Sequence, residues 1–394
     1  MKRPIKYIAI AAIAGFTFAS CGSDDDPTPD DVLSNEILAS DVIDTYATIV
    51  LANYEDALTD ATSLETAINT FVVDPTETNF EAAKTAWLVA RESYGPSEAF
   101  RFANGPIDDE DGPEGLLNAW PLDENYVDYV FGDDTSGIIN DPITFPNIDK
   151  ATLESLNEVG GGANISVGFH AIEFLLWGQD LTAPSEGLPG QRPYTDFVDE
   201  GTASNQDRRR DYLAACADLL TDHLQLMVDE WEIGGPYRTT FEGLNEDTVL
   251  NNMITAIATL SKSELGGERI FVALDNQDQE DEHSCFSDNT DRDIRLNLAG
   301  ISNVYRGSYG SINGDSLEDL ITQEDPELGA QITAQLNTAI TAVNATETPF
   351  DLAIFDDNFR PTVLTSVNEL QDLGDLFIEG GTALGVSASS ELPE

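Results

Sequence analysis

Apolar residues recur at spacings of three and four along most of this chain, which is the spacing that places side chains on one face of an α-helix. The stretches with this pattern are 32–71, 79–101, 152–159, 165–177, 207–232, 247–265, 330–343 and 358–377. Gly95-Pro96 interrupts the second stretch, so we expect that helix to kink or split there. No stretch alternates apolar and polar residues, so neither a strand nor a hairpin is predicted.

The pattern predicts an all-α protein of about eight to ten helices, packed as bundles. A loop rich in proline and glycine follows residue 180 and separates the two halves of the chain. We therefore predict one helical bundle over 32–195 and a second over 196–394.

The composition adds a strong constraint on partners. The 394 residues include 18 Lys and Arg against 73 Asp and Glu, a formal net charge of −55, and 41% are hydrophobic. A nucleic-acid-binding protein is excluded because phosphates require clustered basic residues. The hydrophobic content excludes disorder as the state of the whole chain. The acidic surface fits either adaptation to a salty habitat or a specific role in attracting cations.

The first residues have the pattern of an export signal. Three basic residues precede a short apolar stretch, 7–19, and Cys21 follows at once. The small residues before that cysteine resemble a bacterial lipobox, so we predict a signal peptide over 1–20 and lipidation of Cys21. An acidic tether over 21–31 is similar to the surface-export signal of Bacteroidetes lipoproteins. The alternative is an ordinary signal peptide with an incidental cysteine.

Two further cysteines, Cys216 and Cys285, leave two possibilities open. They form a disulfide in an oxidising compartment, or both are buried thiols. No CxxC pair occurs, which excludes a zinc ribbon or a thioredoxin-type site.

The stretch 168–177 is apolar on almost every side, with His170 and Glu173 as its polar exceptions. At spacing i, i+3 the two side chains project from the same face of a helix. A buried carboxylate requires a partner, which here is a metal ion, an arginine or the histidine itself. The zinc-protease pattern differs, because it has two histidines at spacing i, i+4 around a glutamate.

Gly168-x-His170-x-x-Glu173 resembles the GxHxxE motif of the imelysin family, which is also classed among peptidases. Further segments extend the resemblance to the iron-regulated branch of that family. These segments are 87–102, Gly105-Pro106-Ile107-Asp108, 112–123, Gly266-Gly267-Glu268-Arg269 and 279–290. The resemblance implies two helical bundles with a functional site at or near their interface, a lipoprotein of the cell envelope, and a role in iron uptake.

Several residues are candidates to complete a metal site around His170 and Glu173. The candidate ligands are Glu98, Glu282 and His283, and the candidate supporting residues are Gly168, Arg91, Arg101 and Asp108. Gly168 leaves room for a ligand or a neighbouring helix, and the arginines neutralise carboxylates or hold an anionic ligand. Glu98 alternatively forms an ion pair with Arg101, and His283 alternatively faces solvent.

These observations predict an imelysin-like lipoprotein of the outer membrane, periplasmic or surface-exposed, that captures iron or a related metal ion for uptake. Its expected partners are the metal ion, with or without a small anionic chelate, the membrane through the lipid anchor, and an envelope transporter. One rival hypothesis is a metallopeptidase of the imelysin type, although we find no residue set that supports one. Another is a scaffolding or receptor-partner lipoprotein that holds no metal.

Overall fold

Sixteen α-helices account for most of residues 36–109 and 112–392, which are the residues described by the structure, a computed structural model. The helices are α1 Ala39–Val73, α2 Glu77–Tyr94, α3 Glu114–Leu117, α4 Glu124–Val127, α5 Gly137–Asn140, α6 Lys150–Leu156, α7 Gly168–Trp177, α8 Gln206–Trp231, α9 Pro236–Glu242, α10 Glu246–Thr259, α11 Val272–Asn276, α12 Thr290–Arg306, α13 Leu317–Glu324, α14 Pro326–Asn344, α15 Phe350–Phe355 and α16 Arg360–Ala383. Short 3₁₀ segments lie at Gly95–Phe100, Pro184–Glu186, Tyr194–Phe197 and Gln279–Asp281, and a π-helical segment lies at Leu260–Phe271. The all-α prediction is confirmed.

The expected break at Gly95-Pro96 is present. Helix α2 begins after Thr76, whose side chain accepts a hydrogen bond from the backbone N–H of Asn79. It ends at Tyr94, and the chain continues as the 3₁₀ segment Gly95–Phe100. A proline lacks the N–H that an α-helix needs in its interior, and Pro96 lies at the start of the tighter segment instead.

The expectation that the chain contains no strand or hairpin was wrong at one place. Strands β1 Ser308–Tyr309 and β2 Ile312–Asn313 pair antiparallel after helix α12. Each strand has only two residues, which is too short for an alternating pattern to be visible in the sequence.

Two groups of helices carry most of the packing. Helix α1 packs against α2 and α8, and α7 packs against the same two helices. Helix α16 packs against α10, α14 and the π-helical segment. Helix α12 crosses the 3₁₀ segment Gly95–Phe100 at close range. A Cβ atom added to Gly300 would collide with the backbone of Pro96. This crossing brings residues of the first half of the chain, Glu98 among them, against the second half.

The described residues from Ile37 onwards cluster as a single unit. The division into bundles at residue 195, and a site at their interface, stay predictions. The predicted signal peptide, tether and Cys21 lie outside the described residues. Among the described residues, no helix is both long and apolar enough to cross a membrane.

Candidate metal centre

Helix α7 is buried along its whole length, and two contacts fix its first turn. Gly168 has φ +86°, and a Cβ atom there would lie 2.7 Å from the carbonyl oxygen of Leu117. A side chain at this position would therefore be strained and would push α3 away. The indole Nε1 of Trp87 donates a hydrogen bond to the carbonyl of Phe169 at 3.0 Å. The space that Gly168 leaves is occupied by the neighbouring backbone.

His170 and Glu173 contact each other inside α7. Nδ1 of His170 lies 2.8 Å from Oε2 of Glu173, and both side chains are fully buried. The other carboxylate oxygen, Oε1, accepts hydrogen bonds from the backbone N–H and the hydroxyl of Ser287 at 2.9 and 2.7 Å. Nε2 of His170 is buried and has no hydrogen-bond partner among the described residues. When Glu173 is ionised, Nδ1 carries the proton and Nε2 presents a free lone pair.

The protonation state of the His170–Glu173 pair depends on whether a cation binds at Nε2 of His170. Burial raises the pKa of Glu173 to about 8, against the opposing effects of the Ser287 hydrogen bonds and the Arg91 guanidinium. Burial, together with Arg91 and Arg269, holds the pKa of His170 well below its usual range. The imidazole is therefore neutral, which is the form that binds metals. A cation at Nε2 would favour the ionised carboxylate.

His283 and Trp120 pack against the buried His170 ring. The two imidazole rings lie 4.8 Å apart, and the Trp120 ring lies 4.9 Å from that of His170. Nδ1 of His283 is buried without a hydrogen-bond partner and lies 3.9 Å from Oδ2 of Asp293. Burial, followed by Arg269, lowers the pKa of His283 well below its usual range. Two neutral imidazoles are thus adjacent.

A cavity of about 430 Å³ reaches Trp120 and His283. Its wall is strongly acidic. The charged residues that line it are Glu114, Glu158, Glu264, Glu268, Glu280, Asp281, Arg101 and Arg269. Burial raises the pKa of Glu114 to about 7, so this carboxyl takes up a proton readily near neutral pH. The excess of carboxylates at the wall would concentrate cations beside the two histidines.

Glu98 lies in an ion-pair network. Its Oε2 contacts Arg269 at 2.5 Å and Arg101 at 3.5 Å, and its Oε1 accepts a hydrogen bond from Asn118 at 3.1 Å. Burial alone would raise the pKa of Glu98, but the two guanidinium groups outweigh it and lower the pKa to about 2. The ion pair with Arg101 that the sequence offered as an alternative is present, and Arg269 is an additional partner.

The predicted supporting residues also form pairs. Arg91 is buried and contacts both oxygens of Asp293, at 3.2 and 3.0 Å. Asp108 accepts hydrogen bonds from Arg101 at 3.3 Å and from the backbone of Phe102 at 2.7 Å. The arginines therefore neutralise carboxylates, which is one of the two roles considered for them.

Glu282 has a different partner from its neighbour His283. Its buried carboxyl meets that of Asp351, and burial, followed by Asp351, raises its pKa well above the usual range. The structure thus brings His170, Glu173 and His283 together, and it surrounds Glu98 and Glu282 with other partners. The metal-binding roles of all five stay predictions.

Comparisons with known proteins bear on this arrangement. The model of the imelysin family matches residues 50–377. The chain belongs to the imelysin family. It is 27% identical to iron-regulated protein A of Synechococcus elongatus over 338 residues, which is 83% of this chain and 81% of that protein. The crystal structure of a putative iron-regulated protein A precursor from Parabacteroides distasonis has the same fold. It shares 20% identity and a TM-score of 0.68, over 89% of this chain and 97% of that one.

Several residues of this imelysin's centre received no role from the sequence. They are Trp120, Ser287, Arg269, Asp293 and Asn118. Ser287 lies within the segment 279–290 that carried the family resemblance, but a serine there does not show that it holds Glu173. The structure also settles the state of two cysteines, since Cys216 and Cys285 are buried, free thiols.

Proposed function

We propose that this imelysin-family protein captures a metal ion beside the acidic cavity, with Nε2 of His170 as a ligand. The observation that carries the proposal is the buried, unpartnered Nε2 nitrogen, since Nδ1 of the same ring is held by Glu173. A buried polar atom without a partner costs free energy, and a bound cation would remove that cost. Glu173 and Ser287 would then orient the ring, as carboxylates do behind metal-bound histidines.

His283 supports the same centre. Its ring packs against that of His170 and lines the cavity, so an ion that enters the cavity meets His283 first. The carboxylates of the wall would supply the negative charge that an iron ion requires, and oxygen and imidazole ligands both suit iron. Trp120 covers the rings and would limit access of water.

The name of the Synechococcus relative motivates iron as the cargo. We extend the proposal to uptake at the cell envelope, with the chain anchored to the outer membrane through a lipid on Cys21. The cargo would arrive as the free ion or as a small anionic chelate and would pass to an envelope transporter.

The burial of His170 and Glu173 favours capture of a metal ion over peptide hydrolysis. A metallopeptidase needs an open metal position that admits a peptide carbonyl and a water. His170 and Glu173 are both 0% exposed, so a peptide bond cannot reach the ring in this conformation. An ion would reach Nε2 past His283 and Trp120, which line the cavity.

Metal content tests this function. The purified protein would be stripped with a chelator, loaded with Fe²⁺, ferric citrate, Zn²⁺ or Mn²⁺, dialysed and analysed by elemental mass spectrometry. We expect His170→Ala to lose one iron per chain. The matched control is His223→Ala, because His223 is the one histidine of the chain outside this centre and contacts Glu154, at 3.4 Å.

Two results would contradict the proposal. Equal iron content in the wild type and in His170→Ala would show that the histidine is not a ligand. Cleavage of a peptide library that is lost in His170→Ala but kept in His223→Ala would favour the peptidase instead.

A further inference from the structure

A second group of acidic residues converges from three distant parts of the chain. Asp180 follows α7, Asp288 precedes α12, and Asp351 lies in the first turn of α15. One carboxylate oxygen from each lies within 4.8 Å of the other two. Carboxylates repel one another at this separation unless a proton or a cation lies between them.

Three carboxylate oxygens of this group, on Asp288 and Asp351, lack donors among the described residues. Both oxygens of Asp288 and Oδ2 of Asp351 are buried without a hydrogen-bond partner among the described residues, and Asp351 is only 2% exposed. Glu282, 1% exposed, meets Asp351 and has an unpartnered Oε1. None of the four forms an ion pair with Lys, Arg or His in the part of the chain that the structure describes. Buried carboxylates are normally paired with a basic group or bound to a metal, and among the described residues these have no basic partner.

We propose that Asp180, Asp288 and Asp351, with Glu282 at their edge, form a second cation site that binds Ca²⁺. Hard divalent cations prefer oxygen ligands, and Ca²⁺ accepts several carboxylates in irregular geometry. This group offers carboxylates only, with no histidine or thiolate. Mg²⁺ fits less well, because it keeps most of its water and demands near-octahedral geometry.

Other groups around the site agree with this assignment. Asp180 is already oriented, since its Oδ1 accepts hydrogen bonds from the backbone N–H and the hydroxyl of Thr182, both at 2.9 Å. Gln279 donates to Oδ2 of Asp180 at 3.2 Å. Burial, followed by the charges of Asp351 and Asp180, raises the pKa of Asp288 to about 8. Without a cation, Asp288 would therefore hold a proton at neutral pH.

The site would connect α15 and the segment after α7 to the segment 279–289. That segment carries His283 and Ser287, which contact the His170–Glu173 pair. Calcium would therefore fix the position of residues in the first metal centre without entering it. The proposal does not depend on iron binding by His170.

Calcium binding would be measured by isothermal titration calorimetry on chelator-treated protein, with the melting temperature recorded in parallel. We expect about one Ca²⁺ per chain and a rise of several degrees. Asp288→Asn should abolish both effects. The same variant should melt higher than the wild type without calcium, because it removes a carboxyl that has to take up a proton when the chain folds.

Two control variants test whether the calcium response is specific to this site. Asp357→Asn changes an exposed acidic residue just after α15 and should keep the full calcium response. His170→Ala should also keep it, which distinguishes failure of this site from failure of the iron centre. The proposal is overturned if the wild type binds no Ca²⁺, if it binds Mg²⁺ in preference, or if Asp288→Asn retains the response.

Discussion

The imidazole rings of His170 and His283 lie 4.8 Å apart with an angle of 72° between their planes. Each ring has one buried nitrogen without a hydrogen-bond partner among the described residues, Nε2 in His170 and Nδ1 in His283. Burial keeps both rings neutral, and the guanidinium groups of Arg91 and Arg269 lower the pKa of each ring further. The pair is therefore maintained in the form that accepts a cation.

We expect His283→Ala to weaken iron binding by at least tenfold, because the ring lies between His170 and the cavity. Trp120→Phe serves as the control, since it preserves an aromatic ring against His170 and removes no ligand atom. Binding would be followed by equilibrium dialysis with iron. An unchanged affinity in His283→Ala would assign the second histidine to packing alone.

Glu173 is expected to act through His170, and substitutions should reveal this. In Glu173→Gln the side-chain carbonyl still accepts a hydrogen bond from Nδ1, so iron affinity should fall by about tenfold or less. Glu173→Ala removes the acceptor, and the loss should approach the 10–100-fold range typical of residues that orient a metal ligand. Dissociation constants of both variants would be compared with that of His170→Ala, which should bind no iron at this centre. Complete loss in Glu173→Gln would instead make Glu173 a direct ligand.

The same helix offers a test of Gly168. Gly168→Ala introduces strain at φ +86° and a collision with the carbonyl of Leu117, so we expect a cost of about 3 kcal/mol or more in the free energy of unfolding. Gly132→Ala is the matched control, because Gly132 has φ +90° and no atom within 4 Å of the added Cβ. It should cost only about 1 kcal/mol. Urea denaturation would measure both, and equal costs would show that the collision is relieved elsewhere.

The helical content was predictable from the sequence because apolar spacing reports burial directly. The helix 168–177 stood out because His170 and Glu173 were its only polar residues. A polar pair buried in an apolar helix requires a polar or charged partner. Helix α12 was not predicted, because its polar residues obscure the apolar spacing. Several of them, such as Asp293 and Asn297, are buried and paired with arginines from other helices.

The residues that contact the GxHxxE motif could not be predicted from the sequence, for a different reason. Contacts such as Ser287–Glu173 and Arg269–Glu98 join residues far apart in the chain, and one sequence gives their types but no proximity. Glu282 illustrates the difficulty. It is adjacent to His283 in sequence, but its carboxyl contacts Asp351.

A buried ion pair outside the centre should determine stability without affecting metal content. Both oxygens of Asp128 accept hydrogen bonds from Arg209, at 2.7 and 2.8 Å, and Arg192 donates to Oδ2 at 2.6 Å. Asp128→Asn leaves the buried Arg209 without its ion-pair partner and leaves Arg192 with only Asp196, at 3.8 Å, so we expect a loss of about 3–5 kcal/mol in unfolding free energy. Asp199→Asn, at an exposed ion pair with Arg210, should cost about 0–1 kcal/mol. Iron content per folded chain should be unchanged in both variants.

The Glu98–Arg269 pair predicts a specific dependence of stability on pH. Glu98 has a pKa of about 2 in the folded protein, below the value of about 4.3 for an unfolded chain. A lowered carboxyl pKa stabilises the fold above the unfolded pKa, and this contribution is lost as pH falls from about 4.5 towards 2. Glu98→Gln should therefore be less stable than the wild type by a few kcal/mol at pH 7, and the difference should shrink below pH 4.5. Glu92→Gln, at the exposed ion pair with Arg292, is the control and should change stability by about 0–1 kcal/mol throughout. Denaturation curves between pH 3 and 7 would measure the differences, and a constant deficit in Glu98→Gln across that range would contradict a lowered pKa at Glu98.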